Sequence, residues 1–206
     1  MKTLSREVPI DPAHAALLII DVQNYCAGLK SGNTEYFRRS LRDAVLPNIR
    51  RLQTACRSGG IEVMYSVIEN MTRDGRDRSL DYKISGIDVP RGSWDSHVLD
   101  EIAPLDDEMI FRKTSSNVLI STNLDYVLRN LGVRSLIVAG LMTDQCVESA
   151  VRDACDLGYL VTLATDACTT TSAERHEQSL TGVRGYCRQS CTDALVAEIT
   201  ALTGWR

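Results

Sequence analysis

Three ionisable side chains fall where predicted β-strands end. Asp21 closes an apolar run, Lys113 follows a second strand-like segment, and Cys146 lies between another strand and the helix after it. An ionised thiol is a nucleophile, a carboxylate can take and return its proton, and an ammonium stabilises negative charge on both. Together these residue types suit nucleophilic attack on a carbonyl carbon.

Each residue also has a purely structural interpretation. A cysteine in the first turn of a core helix more often serves packing than chemistry. An aspartate at a strand end often caps the next turn, and a lysine there is usually solvated. The combination favours chemistry, because burying several charges at one sheet edge is costly unless they serve a purpose.

The position of Cys146 predicts how its thiol is activated. If Thr143 is the N-cap of the following helix, Cys146 lies in the first turn, where backbone N–H groups and the helix dipole stabilise a thiolate. A nearby Lys113 would add to this effect. We therefore expect a lowered pKa for Cys146 and selective alkylation of it over the other six cysteines, which are Cys26, Cys56, Cys155, Cys168, Cys187 and Cys191.

Apolar runs alternate with helical patterns along the whole chain, as is typical of a parallel sheet built from βαβ units. Strands are predicted at residues 15–21, 61–68, 108–112, 135–140, 159–166 and 186–189. The pattern predicts a Rossmann-like, doubly wound α/β fold in one domain over residues 1–206, with a mostly parallel sheet and helices on both faces. Ligands bind such sheets beyond the carboxyl ends of the strands.

Helical patterns and one long polar segment occupy the stretches between these strands. Helices are predicted at residues 41–56, 122–131, 147–154 and 172–180, from Ser93 to Ile102, and after a cap at Thr192. Residues 69–93 are polar and lack a clear period. Long segments of this kind are usually functional or disordered.

Composition excludes several partners. The chain has 206 residues, 44% of them hydrophobic, and a formal net charge of −4 without a strongly basic stretch. Nucleic acid is therefore not an expected partner. No apolar run reaches membrane-spanning length and the N-terminus lacks a hydrophobic signal core, so a cytoplasmic protein without a membrane partner is expected. The cysteines form no C-x-x-C pair, which predicts reduced thiols.

Three segments resemble the active-site segments of isochorismatase-like cysteine hydrolases. They are LLIIDVQN (17–24), FRKTSSN (111–117) and VAGLMTDQCVESAVRDACDLGY (138–159), in the order found in that family. The similarity runs over nearly the whole chain. The resemblance implies that Asp21, Lys113 and Cys146 form a catalytic triad.

The same resemblance implies an oxyanion hole and a mechanism. A non-proline cis peptide is expected at Leu141–Met142, with the backbone N–H groups of Met142 and Cys146 facing the developing oxyanion. Cys146 would attack an amide or ureido carbonyl, and Asp21 would protonate the leaving nitrogen and later activate water to hydrolyse the thioester. Family members commonly assemble as dimers or tetramers, so a homo-oligomer is expected by resemblance.

Neither a metal nor another cofactor is expected. Related nicotinamidases carry metal-binding histidines after the second strand, but the matching segment SVIENMTRDGRDRS (66–79) has none. His14, His97 and His176 lack metal-ligand spacing, and His176 is expected on a helix surface. Isochorismatases that cleave a vinyl ether do not need a thiol, so Cys146 favours C–N hydrolysis.

Two further segments, RDGRDRSLDYKISG (73–86) and RGSWD (91–95), resemble hydrolases of ureidoacrylate, biuret and triuret. A compact ureide offers several N–H donors and carbonyl acceptors, which a polar pocket can match. The polar residues predicted to contact such a small-molecule substrate are Asn24, Glu69, Asn70, Lys83, Gln145, Tyr186 and Gln189, with Tyr25 and Trp94 as walls. Each is equally compatible with an ordinary structural role.

Two alternatives stay open. One is a hydrolase of N-carbamoyl compounds or other small primary amides, including nicotinamide. The other is a non-catalytic small-molecule binding protein of the same fold, although the intact triad argues against it. A redox role for Cys146 lacks a resolving cysteine at a recognisable spacing.

Overall fold

The computed structural model describes residues 5–28 and 34–204; residues 1–4 of the N-terminal stretch lie outside it. In this part of the chain, six strands form one parallel sheet in the order β3-β2-β1-β4-β5-β6. The strands are β1 (Ala15–Ile20), β2 (Glu62–Ile68), β3 (Met109–Lys113), β4 (Ser135–Leu141), β5 (Leu160–Thr169) and β6 (Arg188–Ser190). The strand order reverses between β1 and β4, which confirms the predicted doubly wound sheet.

The helices lie between successive strands, except α9, which follows the last strand. They are α1 (Asn24–Ala27), α2 (Glu35–Ser40), α3 (Leu46–Ser58), α4 (Leu80–Ile84), α5 (Val118–Ser121), α6 (Leu124–Asn130), α7 (Glu148–Asp156), α8 (Ala173–Val183) and α9 (Thr192–Thr203). Turns of π-helix span Leu41–Val45 and Thr143–Val147, and 3-10 turns span Pro12–His14, Trp94–Ser96 and Asp100–Ile102. None of the helices described over residues 5–28 and 34–204 is long and apolar enough to cross a membrane.

Strand β1 lies at the centre of the sheet and is buried along its whole length. Because side chains alternate between the two faces of a strand, Leu17 and Ile19 pack into one hydrophobic cluster and Leu18 and Ile20 into another. The first cluster contains residues of α3 and α9, and the second contains residues of α6, α7 and α8. The prediction of helices on both faces is confirmed.

Several predicted boundaries shift. Lys113 is the last residue of β3 rather than a residue after it. The caps predicted at Thr122 and Thr192 are one residue away, at Asn123 and Cys191. The predicted helix from Ser93 to Ile102 is two short 3-10 turns, and the polar segment after β2 contains α4, which periodicity over one turn could not reveal.

Candidate active site

Asp21 directly follows β1 and is held by β2. Its backbone has a φ of 55°, in the left-handed region that aspartate tolerates better than most residues. The Asp21 N–H donates to the Ser66 carbonyl, and the Ser66 hydroxyl donates to Asp21 Oδ1, each at 2.9 Å. Only 1% of Asp21 is exposed. The carboxylate is therefore fixed in place within the carboxyl edge of the sheet.

Lys113 reaches the same point from β3. Its side chain is completely buried, and Nζ lies 2.8 Å from Asp21 Oδ2 in an ion pair. Nζ also donates to the Ser115 carbonyl at 2.9 Å, to the Tyr82 hydroxyl at 3.0 Å and to Cys146 Sγ at 3.4 Å. The structure thus brings Asp21, Lys113 and Cys146 together, although they are far apart in the sequence.

Cys146 lies in the π-helical turn between β4 and α7. The N-cap of that turn is Met142 rather than Thr143, so the predicted cap is wrong by one residue. Thr143 is instead buried inside the turn, where its hydroxyl bonds His176 Nδ1 at 2.9 Å and its carbonyl accepts from Ser179 Oγ at 3.0 Å. His176 is on α8 as expected, but it is half-buried against the turn rather than on the surface.

The peptide bond between Leu141 and Met142 is cis, as the resemblance predicted. The Met142 carbonyl accepts from the Val147 N–H at 3.2 Å, which is the first five-residue bond of the π-helical turn. Cys146 lies within this turn, at the start of the helix that continues into α7, where backbone N–H groups point toward the N-terminal end. Backbone donors therefore lie beside the thiol.

The pKa of the Cys146 thiol is raised, whereas the sequence predicted that it would be lowered. Burial raises the pKa of this thiol; the Lys113 charge opposes the rise, the Asp21 charge adds to it, and the resulting pKa is about 11. The predicted lowered pKa is wrong because helix position and a nearby lysine do not outweigh the burial of the thiol. In the free protein at neutral pH, Cys146 is a thiol.

Lys113, in contrast to the neutral thiol, keeps its charge. Burial acts against the charge on Lys113, but Asp21, Cys146 and Tyr82 outweigh it and raise the pKa of Lys113 well above the ordinary lysine value. The ammonium is therefore permanent near neutral pH. Asp21 Oδ2 is buried and pairs with the Lys113 ammonium, and a carboxylate oxygen has a further lone pair available for the proton of a thiol.

Two residues that sequence patterns did not single out shape this site. Gln23 is completely buried and exchanges hydrogen bonds with the backbone of Ile68, and it also donates to the Asp95 carbonyl. It thereby ties the segment after β2 to the end of β1. Tyr82 lies on α4 and places its hydroxyl against Lys113 and Cys146. A buried tyrosine inside a predicted loop offered no periodic signal.

Some residues predicted to contact substrate form hydrogen bonds within the protein. Glu69 is buried, accepts from the Gly92 N–H at 2.7 Å and pairs with Arg112. Asn70 donates to Asp88 Oδ1 at 2.7 Å, and Asn24 donates to the Trp94 carbonyl at 2.9 Å. These side chains hold the segment that follows β2. Their contact with substrate stays a prediction.

Three predicted contacts lie elsewhere. Tyr186 packs under the Arg152 guanidinium, 4.6 Å from ring centroid to Cζ, beside the C-terminal half of α7 and so away from the thiol at the start of that helix. Gln189 is on the edge strand β6 and donates to the Leu180 carbonyl. Lys83 is exposed on α4 and donates to the Arg76 carbonyl. These side chains bond or pack against the protein itself, and their contact with substrate stays a prediction.

The remaining residues predicted to contact substrate are half-buried or exposed. Tyr25 is half-buried in α1, and burial raises the pKa of its phenol. Trp94 and Gln145 are exposed, Gln145 directly before the thiol. Within residues 5–28 and 34–204, no group of three or more His, Cys, Asp or Glu side chains could hold a metal ion. That a metal is unnecessary stays a prediction.

The other cysteines are not uniformly protected. Burial raises the pKa of Cys56, Cys168 and Cys187 to about 12 in each case. Cys191, in contrast, is exposed at the start of α9. The expectation that the other six cysteines are protected by burial is therefore wrong for Cys191, and its accessibility favours its reaction before Cys146.

Comparisons with known proteins show the family to which this fold belongs. The family model for the Isochorismatase domain matches residues 15–194. Ureidoacrylate amidohydrolase RutB of Caulobacter segnis is 30% identical over 178 residues, covering 78% of this chain and 74% of that protein. RutB of Rhizobium rhizogenes is 27% identical over 178 residues, covering 78% and 72%. The crystal structure of a cysteine hydrolase from Pseudomonas syringae pv. phaseolicola matches with a TM-score of 0.85 and 25% identity, covering 98% of this chain and 100% of that one.

Proposed function

This chain belongs to the isochorismatase family, and we propose that it is an amidohydrolase that uses Cys146 to cleave a C–N bond of a small ureido compound. The observation that carries the proposal is the enclosed contact of a thiol, a carboxylate and an ammonium at the reversal point of the sheet. Burying this set of groups is costly, and such sets are typical of active sites.

Acylation begins with the protonated thiol. Asp21 Oδ2 takes the proton from Cys146 Sγ as the sulfur attacks the carbonyl carbon of the substrate. The carbonyl oxygen becomes an oxyanion, which the backbone N–H groups of Met142 and Cys146 stabilise. Asp21 then gives the proton to the leaving nitrogen. The C–N bond breaks, ammonia or an amine departs, and a thioester with Cys146 remains.

Deacylation repeats the proton transfers with water. Asp21 takes a proton from the water molecule that attacks the thioester carbonyl, and a second oxyanion forms at the same backbone donors. Its collapse breaks the C–S bond, and the Asp21 proton returns to the sulfur. Lys113 stays charged throughout, so it stabilises whichever of Asp21 and Cys146 is the anion at each step.

The ureido substrate class is inferred from the relatives and from two sequence segments. The two relatives named above are ureidoacrylate amidohydrolases, and residues 73–86 and 91–95 resemble hydrolases of ureido compounds. These residues belong to the segment that Gln23 and Asn24 tie to the end of β1. Polar groups there would be left unpaired by an apolar amide, which disfavours such substrates.

The test is a panel of substrates assayed by ammonia release, containing ureidoacrylate, biuret, triuret, N-carbamoyl amino acids and nicotinamide. We expect the best ureido compound to exceed nicotinamide by at least about tenfold in kcat/KM, the value of roughly one lost hydrogen bond. Activity should survive treatment with a chelator. Equal or better turnover of nicotinamide would overturn the substrate class.

A pair of variants tests the nucleophile. Cys146→Ala should abolish turnover and still bind substrate, because the oxyanion donors are backbone groups. Cys56→Ala is the matched control, since Cys56 is completely buried in α3 and belongs to a core cluster that does not contain Cys146. An active Cys146→Ala protein would mean that the nucleophile is misidentified.

A further inference from the structure

Tyr82 projects from α4 into the triad, and its side chain is 1% exposed. The helix is a single turn, but it is fixed at both ends. Ser79 caps it by accepting from the Tyr82 N–H at 3.2 Å, and the Ser79 N–H donates to the carbonyl of Thr114, just after β3. At the other end the Ile87 N–H donates to the Tyr82 carbonyl at 2.9 Å. The hydroxyl is therefore held in place by backbone contacts.

The Lys113 ammonium has more neighbours than protons. Four groups lie within 3.4 Å of Nζ: Asp21 Oδ2, Tyr82 OH, the Ser115 carbonyl and Cys146 Sγ. An ammonium has three N–H donors, so it cannot serve all four at once. A thiolate on Cys146 would have to compete with three oxygens for a lysine proton. A second donor would relieve that competition.

The Tyr82 hydroxyl is placed to be that donor. An ammonium has no acceptor, so the Tyr82 oxygen accepts from Lys113 and its own proton stays available. The oxygen lies 3.9 Å from Cys146 Sγ, a long contact while the sulfur is a neutral thiol. Hydrogen bonds to charged groups are shorter and stronger, so the contact should tighten when the sulfur becomes an anion. Burial raises the pKa of Tyr82, so the phenol keeps its proton.

We propose that Tyr82 is a further catalytic residue of the reaction, which accepts a hydrogen bond from Lys113 and donates one to the Cys146 thiolate after Asp21 has removed the thiol proton. This rests on the proposed role of Cys146 as nucleophile. Tyr82 lies on α4, which belongs to the segment that follows β2. Ionisation of Cys146 therefore also depends on that segment being in place.

The test is Tyr82→Phe, which keeps the ring and removes the hydroxyl. Tyr65→Phe is the matched control, because Tyr65 is also fully buried and its hydroxyl bonds Gln53, Arg57 and Glu108 rather than the triad. Both are made in a Cys191→Ser background, and the rate of Cys146 alkylation by iodoacetamide is followed against pH by peptide mass mapping. This measurement needs no substrate, so it separates the role of Tyr82 from the identity of the substrate.

We expect Tyr82→Phe to move the alkylation profile of Cys146 upward by about one pH unit, with a fall of about tenfold in both kcat and kcat/KM. Tyr65→Phe should leave the profile unchanged. A folded Tyr82→Phe protein with an unmoved profile would overturn the proposal. If Tyr82→Phe fails to fold, the protein is made with 3-fluorotyrosine, whose phenol is a stronger donor; its profile should move downward, and an unmoved profile there would equally refute the role.

Discussion

Replacing Asp21 by asparagine should stop turnover and yet make Cys146 easier to ionise. Burial is the main cause that raises the pKa of Cys146, and the Asp21 charge raises it further, whereas Lys113 lowers it. Asparagine removes the negative charge and keeps an oxygen that can accept from Ser66. Lys113 then has no carboxylate to pair with, so a Cys146 thiolate becomes its natural counter-charge.

The size of this effect can be worked out. With a pKa of about 11, about one Cys146 in a thousand is a thiolate at pH 8. Removing a neighbouring like charge lowers a pKa by about one to three units, and two units would raise the thiolate fraction about a hundredfold. Because a less basic thiolate is also less nucleophilic, with a Brønsted slope of about 0.4 to 0.5, the net gain in alkylation rate is about tenfold.

The same substitution should lower stability. Lys113 and Asp21 are both buried, and removing one partner of a buried ion pair typically costs about 3 to 5 kcal/mol. The lower end is expected, because Lys113 keeps its hydrogen bonds to the Ser115 carbonyl and to Tyr82. Urea unfolding of Asp21→Asn against the unmodified chain measures this difference.

The assay combines ammonia release with the rate of Cys146 alkylation at pH 8, in a Cys191→Ser background. Asp43→Asn is the control, since Asp43 is exposed and pairs with the adjacent Arg42. Faster alkylation without turnover would separate ionisation from catalysis, as expected for a base that must return its proton. Slower alkylation of Asp21→Asn, or retained turnover, would refute the assignment of Asp21.

Three further predictions follow from particular contacts. Gly140→Ala should destabilise the chain by about 3 kcal/mol or more, because the new Cβ would lie 2.1 Å from a backbone oxygen of β1. Gly60 also has a positive φ but has open space around it, so Gly60→Ala should cost about 1 kcal/mol. Urea unfolding of the two variants compares these costs. Burial acts to raise the pKa of Asp77, but hydrogen bonds from Thr72 and from backbone N–H groups outweigh it and lower that pKa to about 2. The Asp77 carboxylate therefore stabilises residues 71–78 fully above pH 3.8, and this stabilisation is lost as the pH falls toward 2. Pepsin cleavage within these residues should rise over the same range. Cleavage that does not depend on pH, after correction for the pH dependence of pepsin itself, would contradict this. Iodoacetamide should modify Cys191 of the unmodified chain before Cys146, and mass mapping that shows the reverse order would mean that the Cys146 thiol is more ionised than its enclosure implies.

The sequence by itself determined the order of the six strands along the chain, the longer helices between them and the three strand-end residues of the site. These features are local: an apolar run such as residues 15–20 specifies a buried strand by its own composition, and Gly59 and Gly60 end a helix by their own backbone preferences. In a parallel sheet the carboxyl ends of all strands meet at one edge. Knowing where Asp21 and Cys146 stand relative to their strands was therefore enough to place them together.

Only the tertiary structure decided the electrostatics of the site and the identity of its other members. The pKa of Cys146 depends on how completely distant segments enclose the thiol, and Tyr82 reaches it from a position 64 residues away in the sequence. The places of Tyr186 and Gln189 relative to the triad could not be read from the sequence for the same reason, because the short edge strand β6 carries no pattern that tells which end of the sheet its flanks face. Local preferences specify elements, whereas burial and charge pairing arise between elements that no local pattern connects.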